Sequence, residues 1–498
     1  MPSASIGLQR RRTSTRWGVL ALVVTAQFMV ILDVAIVNVA LPSIKADLHF
    51  SEESLQWVIT AYAIVFGGAL LLGGRLADLL GRRRVFAAGL ALFATSSLLC
   101  GLAWSEASLI AFRALQGLGG ALLAPAALSI LMTTFAEGRD RNVALGVWGA
   151  ASGTGGAAGV VLGGILTSYV HWSWIFFINV PVAAVVIGLT PWVLRESRLE
   201  TTGRHFDLAG AASITAGLML LVYAMTRATQ DGWASRSTIE LLAGATALVL
   251  AFIVIELRSR APLLPLRLFR LRTLAAANAA GLVLAAVTFS MFFLLTLYMQ
   301  QVLHYSAIQT GVAFVATTLT VVVFSNVAQT LVTRLGARPV LTAGLLSAAA
   351  SLVLLARLPV HGHYFRDLLP ALILGGIGVA LSFVPVTIAG LTGVERADAG
   401  VASGLINTSR QIGGAIGLAA VSTIATTYTS RYADAHAGVT ASNGGALTHG
   451  FHVAFYALAG LAVVGAVIAA VFIEPQQRRQ VEPEVVAGEP AVMLEEAA

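Results

Sequence analysis

RWGVLALVVTAQFMVILDVAIVNVAL, residues 16–41, decides the class of this chain. After Arg16 the stretch holds one ionisable residue, Asp33, in an otherwise apolar run. At ~1.5 Å per residue its rise exceeds the ~30 Å hydrocarbon core of a bilayer. The basic "MPSASIGLQRRRTSTRW" before it resembles the start of a signal peptide, but no small-residue cleavage site follows. The run therefore reads as a first membrane helix, not a removed leader.

The rest of the chain has the same character. Of its 498 residues, 57% are hydrophobic and 11% charged, and the mean hydropathy is +0.84. Soluble domains carry about 25% charged residues, so a polytopic membrane protein is implied. Fourteen apolar segments are long enough to span, at about 17–41, 54–73, 84–104, 108–133, 142–168, 174–194, 207–227, 238–257, 273–300, 309–332, 338–357, 368–391, 399–427 and 451–473. The single Cys100 excludes a disulfide framework and a cysteine metal site.

The net charge of +7 could suggest nucleic acid, but its distribution indicates topology. With the N-terminus inside, 23 of the 31 Arg and Lys fall in inner segments and only 6 in outer loops. The positive-inside rule places both termini in the cytoplasm and leaves no need for a nucleic-acid partner.

The chain also repeats itself. "GTGGAAG" (153–159) matches "QIGGAIG" (411–417), "GLGGAL" (117–122) matches "GIGVAL" (376–381), and "LGRRRV" (80–85) matches "LGARPV" (335–340). The offsets are 258, 259 and 255 residues, and eight spans separate equivalent positions. The expected plan is an all-α fold of 6+2+6 helices. Its parts are a cytoplasmic tail (1–16), a six-helix bundle (17–200), a two-helix insert with an interfacial linker (201–272), a second bundle (273–474) and a disordered acidic tail (475–498). Parallel repeats of this kind belong to transporters that rock two halves about a midplane site.

Several motifs carry a family resemblance. "GGRLADLLGRRR" (73–84) resembles the signature loop of the major facilitator superfamily, "RALQGLGGALLAP" (113–125) its fourth-helix motif and "WGAASGTGGAAGVVLGGIL" (148–166) its antiporter motif. "LDVAIVNVALP" (32–42), "HWSWIFFINVPVA" (171–183), "LYMQQVLHYSAIQTG" (297–311) and "GVASGLINTSRQIGGAIG" (400–417) are similar to the fourteen-span drug:proton antiporter branch. The resemblance implies a multi-pass protein of the bacterial cytoplasmic membrane that exports amphiphilic drugs or antibiotics in exchange for protons. No cofactor is implied, and the chain is expected to act as a monomer.

Each motif also has its own physical reading. Gly74, Asp78, Gly81, Arg82 and Arg83 form a candidate conformational latch, in which Asp78 can pair with an arginine or face a helix N-terminus. Thr333 occupies the equivalent of Asp78 in the second half, so the counterpart is degenerate. Gly155, Gly159 and Gly163 form a smooth ridge for close helix packing, though Gly156 and Val160 stand where the family pattern has proline. His361, His363, His436, His449 and His452 lie in loops or at span ends and are read as solvated, with no metal site expected. No P-loop or nucleophile–base motif is present, which argues against ATP-driven transport and enzymatic chemistry.

Asp33, Arg113 and Arg410 are the ionisable residues well inside the spans. By helical rise Asp33 lies roughly 24 Å from the inner surface and Arg113 roughly 22 Å, so the two can meet. A lone intramembrane charge costs at least ~2.5–3.5 kcal/mol by insertion scales. Burial and a guanidinium act in opposite senses on a carboxyl, the balance a proton carrier requires. Asn38 and Gln116 extend this network toward substrate, and Arg410 either lines the cavity or snorkels. The tenth span, "GVAFVATTLTVVVFSNVAQTL", contains no acid. Some fourteen-span relatives that export divalent cations carry an acid there, so the resemblance disfavours dications and implies neutral, zwitterionic or monocationic amphiphiles. The competing readings are a proton symporter for metabolite uptake, a non-transporting membrane sensor and a polytopic membrane enzyme.

Overall fold

The structure, a computed structural model, describes residues 3–50, 52–55, 57–197, 207–259, 262–436 and 440–475. Both the linker stretch 198–206 and most of the acidic tail, 476–498, lie outside the described residues.

Among the described residues there is no strand, and fourteen helices are long and apolar enough to cross a membrane. They are α1 Arg16–Leu48, α2 Trp57–Leu80, α3 Arg82–Gly101, α4 Glu106–Thr134, α5 Arg139–Tyr169, α6 Trp174–Val193, α7 Ala209–Ala228, α8 Arg236–Arg258, α9 Arg272–Val302, α10 Ile308–Leu335, α11 Ala337–Leu355, α12 Tyr364–Leu391, α13 Ala399–Ala435 and α14 Gly444–Phe472. Helices are the expected solution because hydrocarbon offers backbone amides no other partner.

Capping groups set several boundaries where hydropathy misplaces them. Asn443 accepts from Gly445 N–H at 2.8 Å, so α14 begins in the polar "GGALTHG" instead of at residue 451. Ser105 and Ser108 form a capping box at α4, and Ser306 and Gln309 form one at α10. Helix α1 continues past Pro42 to Leu48, with Ile44 fully buried among Leu109, Trp172 and Phe176.

The internal repeat is visible in how helices pair. In the first half α3 packs on α4, α2 on α4 and α1 on α5; in the second α11 packs on α12, α10 on α12 and α9 on α13. The halves meet through two equivalent contacts, α5 against α10 and α13 against α2. Helices α7 and α8 pair with each other, and α7 also touches α2 and α13. The linker is more embedded than an interfacial segment. Glu256 accepts from the backbone N–H groups of Leu263 and Leu264 at 2.9 and 3.3 Å, and Leu263, Leu264 and Leu268 are buried. Arg267 then pairs with Asp398, 2.8 Å away, beside the start of α13. Burial raises the Asp398 carboxyl above its ordinary value, while Arg267 pulls it down.

The glycine ridge of α5 explains its contact with α1. A Cβ on Gly155 would sit 3.0 Å from the Phe28 carbonyl oxygen, one on Gly159 2.7 Å from Ala35 Cβ, and one on Gly163 3.0 Å from Ile36 O. The second half reuses the device, since a Cβ on Gly417 would lie 2.6 Å from Ala286 of α9. Gly156, at a position where the family pattern has proline, faces open space and α5 runs unbroken from Arg139 to Tyr169. Gly159→Leu should therefore separate α1 from α5 and lower stability by about 1–3 kcal/mol, whereas Gly156→Ala should change it little. Thermal unfolding of the two purified variants checks this, and equal losses would contradict the packing.

Candidate coupling site and gate

Five helices of the first half converge on Asp33, which is completely buried in α1. Its Oδ2 accepts from Arg113 Nη1 of α4 at 2.7 Å. Its Oδ1 accepts from Gln116 Nε2 at 2.8 Å and from Asn179 Nδ2 of α6 at 3.0 Å. Arg113 is itself 1% exposed. Its Nε donates to the Val58 carbonyl of α2 at 3.0 Å, and Nη1 also donates to Gln116 Oε1 at 2.6 Å. The Tyr62 ring lies 4.4 Å from the guanidinium carbon. On the far side Asn179 also donates to Ser97 Oγ at 3.0 Å, and Ser97 donates to Phe176 O. Each charge is thus matched by a charge and by oriented dipoles, the condition for burial without a large penalty.

The structure brings Asp33, Arg113 and Gln116 together and leaves Asn38 apart. Asn38 is exposed and donates back to the Val34 carbonyl at 2.8 Å, an ordinary side-chain bond within one helix turn. Asn179 and Ser97 take the place assigned to it. Sequence reading passes over them because nothing within a span's sequence fixes the rotation that decides which of its polar residues faces the carboxylate. Arg410 lies in the other half on α13, where Nη2 donates to Thr387 Oγ1 of α12 at 2.6 Å.

The loop motif forms a junction between the halves. Asp78, fully buried at the end of α2, accepts from the backbone N–H of Gly400 and of Val401 at 3.1 Å each. These are among the first amide groups of α13, so the carboxylate caps that helix from the opposite half. Close approach requires Gly74, because a Cβ there would collide with the Gly400 carbonyl. Arg82 Nη2 pairs with Asp78 at 2.5 Å, and its Nε donates to Ser129 at 2.6 Å. Gly81, with φ +110, supplies the turn between α2 and α3. Arg83 N–H is taken by Glu196 Oε1 at 3.1 Å, so this arginine braces the loop after α6 and does not reach α13.

The counterpart junction is neutral. Thr333 accepts from Asn142 Nδ2 of α5 at 3.0 Å. Asn142 and Gly400 are related by the 258-residue offset, so the pair sits where symmetry requires but without a charge. Nearby, Gly393 N–H donates to Glu137 at 3.3 Å. All these links lie at the end of the molecule where α1 begins, with Trp17 packed on Phe135.

A sequence model described as Major Facilitator Superfamily matches residues 23–418. The chain belongs to that superfamily. It is therefore a membrane transporter and not an enzyme. It is 42% identical to the cephamycin export protein CmcT of Amycolatopsis lactamdurans, over 86% of this chain and 90% of that one. It is 39% identical to the puromycin resistance protein pur8 of Streptomyces alboniger, over 92% of each. Among solved structures, the proton:xylose symporter XylE superposes with a TM-score of 0.65 at 14% identity, covering 93% of this chain and 97% of that one. At that identity the likeness concerns the fold alone.

Asp78→Asn keeps the shape of this candidate gate and removes its charge. Loss of the ionic hydrogen bonds should weaken the closed junction by about 2–3 kcal/mol, or roughly 30- to 150-fold in the closed-to-open ratio. Spin-label distances between the α5 and α10 ends near Asn142 and Thr333 should shift to a wider population. An unchanged distribution would show that Asp78 does not hold this gate.

Proposed function

We propose that the protein is a proton-coupled antiporter that exports amphiphilic drugs or antibiotics by alternating access. Its carrying observation is Asp33, a carboxylate buried at the centre of the first half and held by donors from α4 and α6. Protonation removes the charge against which Arg113, Gln116 and Asn179 are arrayed. Arg113 then retains Val58 O, Gln116 Oε1 and the Tyr62 ring, and α1 loosens from α4 and α6. Because α1 is keyed to α5 by glycines and α5 lies along α10, the change reaches the contact between halves.

In this cycle a proton enters from outside and occupies Asp33 as drug leaves outward. The halves then rock, and the proton is released to the cytoplasm. The 6+2+6 plan, with residues 17–200 and 273–474 as the rocking bundles, is supported by the repeated pairings. Arginine distribution supports cytoplasmic termini in a bacterial plasma membrane. Both relatives carry names of antibiotic export or resistance, which supports the substrate class. With its gate residues joined, the structure corresponds to a transporter closed toward the cytoplasm. We take the working unit to be a monomer.

Expression in an efflux-deficient strain should raise tolerance to at least one toxic amphiphile, and inside-out vesicles should show proton flux dependent on that compound. Protection against none, with no flux, would refute export; flux of opposite direction would indicate uptake. Asp33→Asn leaves Arg113 unbalanced and should lower stability by about 3–5 kcal/mol. Combining it with Arg113→Gln removes both charges and should recover stability without restoring proton flux. Proton-coupled export by the double variant would reduce the pair to a structural bridge.

A further inference from the structure

The two halves differ in charge as well as in sequence. In the first, Asp33 neutralises Arg113. In the second, among the described residues, Arg410 is the only Arg, Lys, Asp or Glu away from the span ends, because the acids of α9–α14 are confined to Asp367 and Asp434 and the other arginines also lie near helix termini. Arg410 lies eleven residues after the start of α13, so roughly 16 Å along the helix, about half of the ~30 Å core.

Its side chain points between the halves. At ~100° per residue, Gly404 and Gln411 mark the line of α13 that meets α2, and Gly413 and Gly417 mark the line that meets α9. Arg410 and Asn407 fall in the arc between those lines. The guanidinium carbon lies 4.0 Å from the centroid of Phe383. Phe383 is in turn 3.4 Å from where a Cβ on Gly149 of α5 would be, so the arginine sits where the second half faces the first.

A guanidinium has five N–H donors. Among the described residues Arg410 makes one hydrogen bond, to the neutral Thr387 hydroxyl, and Nε is buried without a partner. No carboxylate among the described residues pairs with it. A planar donor fork held at mid-membrane with most of its capacity unused is suited to a bidentate carboxylate. Arg113 shows the contrast, since its guanidinium is satisfied by Asp33, Gln116, Val58 and Tyr62.

We propose that Arg410 binds an acidic group of the transported molecule, so that the substrate is an amphiphile bearing a carboxylate, either anionic or zwitterionic. This rests on the export reading and narrows it, because a monocation would meet an uncompensated positive charge. The carboxylate completes the ion pair that the second half lacks, and the apolar remainder lies against Phe383 and its surroundings.

The test uses purified full-length protein and a panel of amphiphilic carboxylic acids, each with its methyl ester. Binding is followed by thermal shift and tryptophan fluorescence, and transport by uptake into inside-out vesicles. Wild type should bind at least one acid about tenfold or more tightly than its ester. Arg410→Gln should abolish that preference, Arg410→Lys should keep part of it, and Thr387→Val, which keeps the charge, should preserve it. Equal binding of acids and esters by wild type, no binding of any acid, or an acid preference unchanged in Arg410→Gln would overturn the proposal. Loss of preference in Thr387→Val equal to that in Arg410→Gln would also overturn it, assigning Arg410 to the α12–α13 contact. Acid binding dependent on Arg410, but without uptake, would uphold the anchor and refute export instead.

Discussion

A charge in hydrocarbon must find its partners within the protein, and the arrangement of this transporter follows from that constraint. Asp33 and Arg113 are tolerated because each neutralises the other and because amide dipoles occupy the remaining positions. Asp78 is tolerated for a different reason: alongside Arg82 of its own half, it is held by two backbone amides of the opposite bundle. Its burial is therefore tied to one arrangement of the two halves, whereas the Asp33 cluster is complete inside a single half. The first is satisfied across the contact between the halves and the second within one of them. One electrostatic requirement is thus met locally in one place and across an interface in the other.

Much of the architecture could be read from the sequence because membrane helices are specified by length and apolarity alone. A count of helical rise also brought Asp33 and Arg113 to one level, since depth is the one coordinate that sequence position encodes in a straight span. What depth does not encode is rotation about the helix axis. Asn38 and Asn179 are both polar residues in apolar runs, and only the rotational setting of α1 and α6 decides which one faces the carboxylate. Similarly, Glu196 holds Arg83 from a loop more than a hundred residues away. Tertiary partners of this kind leave no local signal.

The boundaries that differ from hydropathy do so for an equally specific reason. Windows of apolarity report where lipid begins, while a helix begins where its first amides are capped. At α14 those two positions differ because Asn443 supplies an acceptor ahead of the polar turn. The linker after α8 reads as amphipathic, yet its leucines are drawn inward because Glu256 turns the chain back on itself.

Pseudo-symmetry places two junctions between the halves, and the paired side chains are charged at one and neutral at the other. Asp78 against α13 is ionic and shielded; Thr333 against Asn142 is a single neutral hydrogen bond. The α2–α13 corner is held by a buried carboxylate on backbone amides, the α5–α10 corner by an amide-to-hydroxyl hydrogen bond. The pseudo-symmetry of this molecule is accordingly one of helix packing and not of electrostatics.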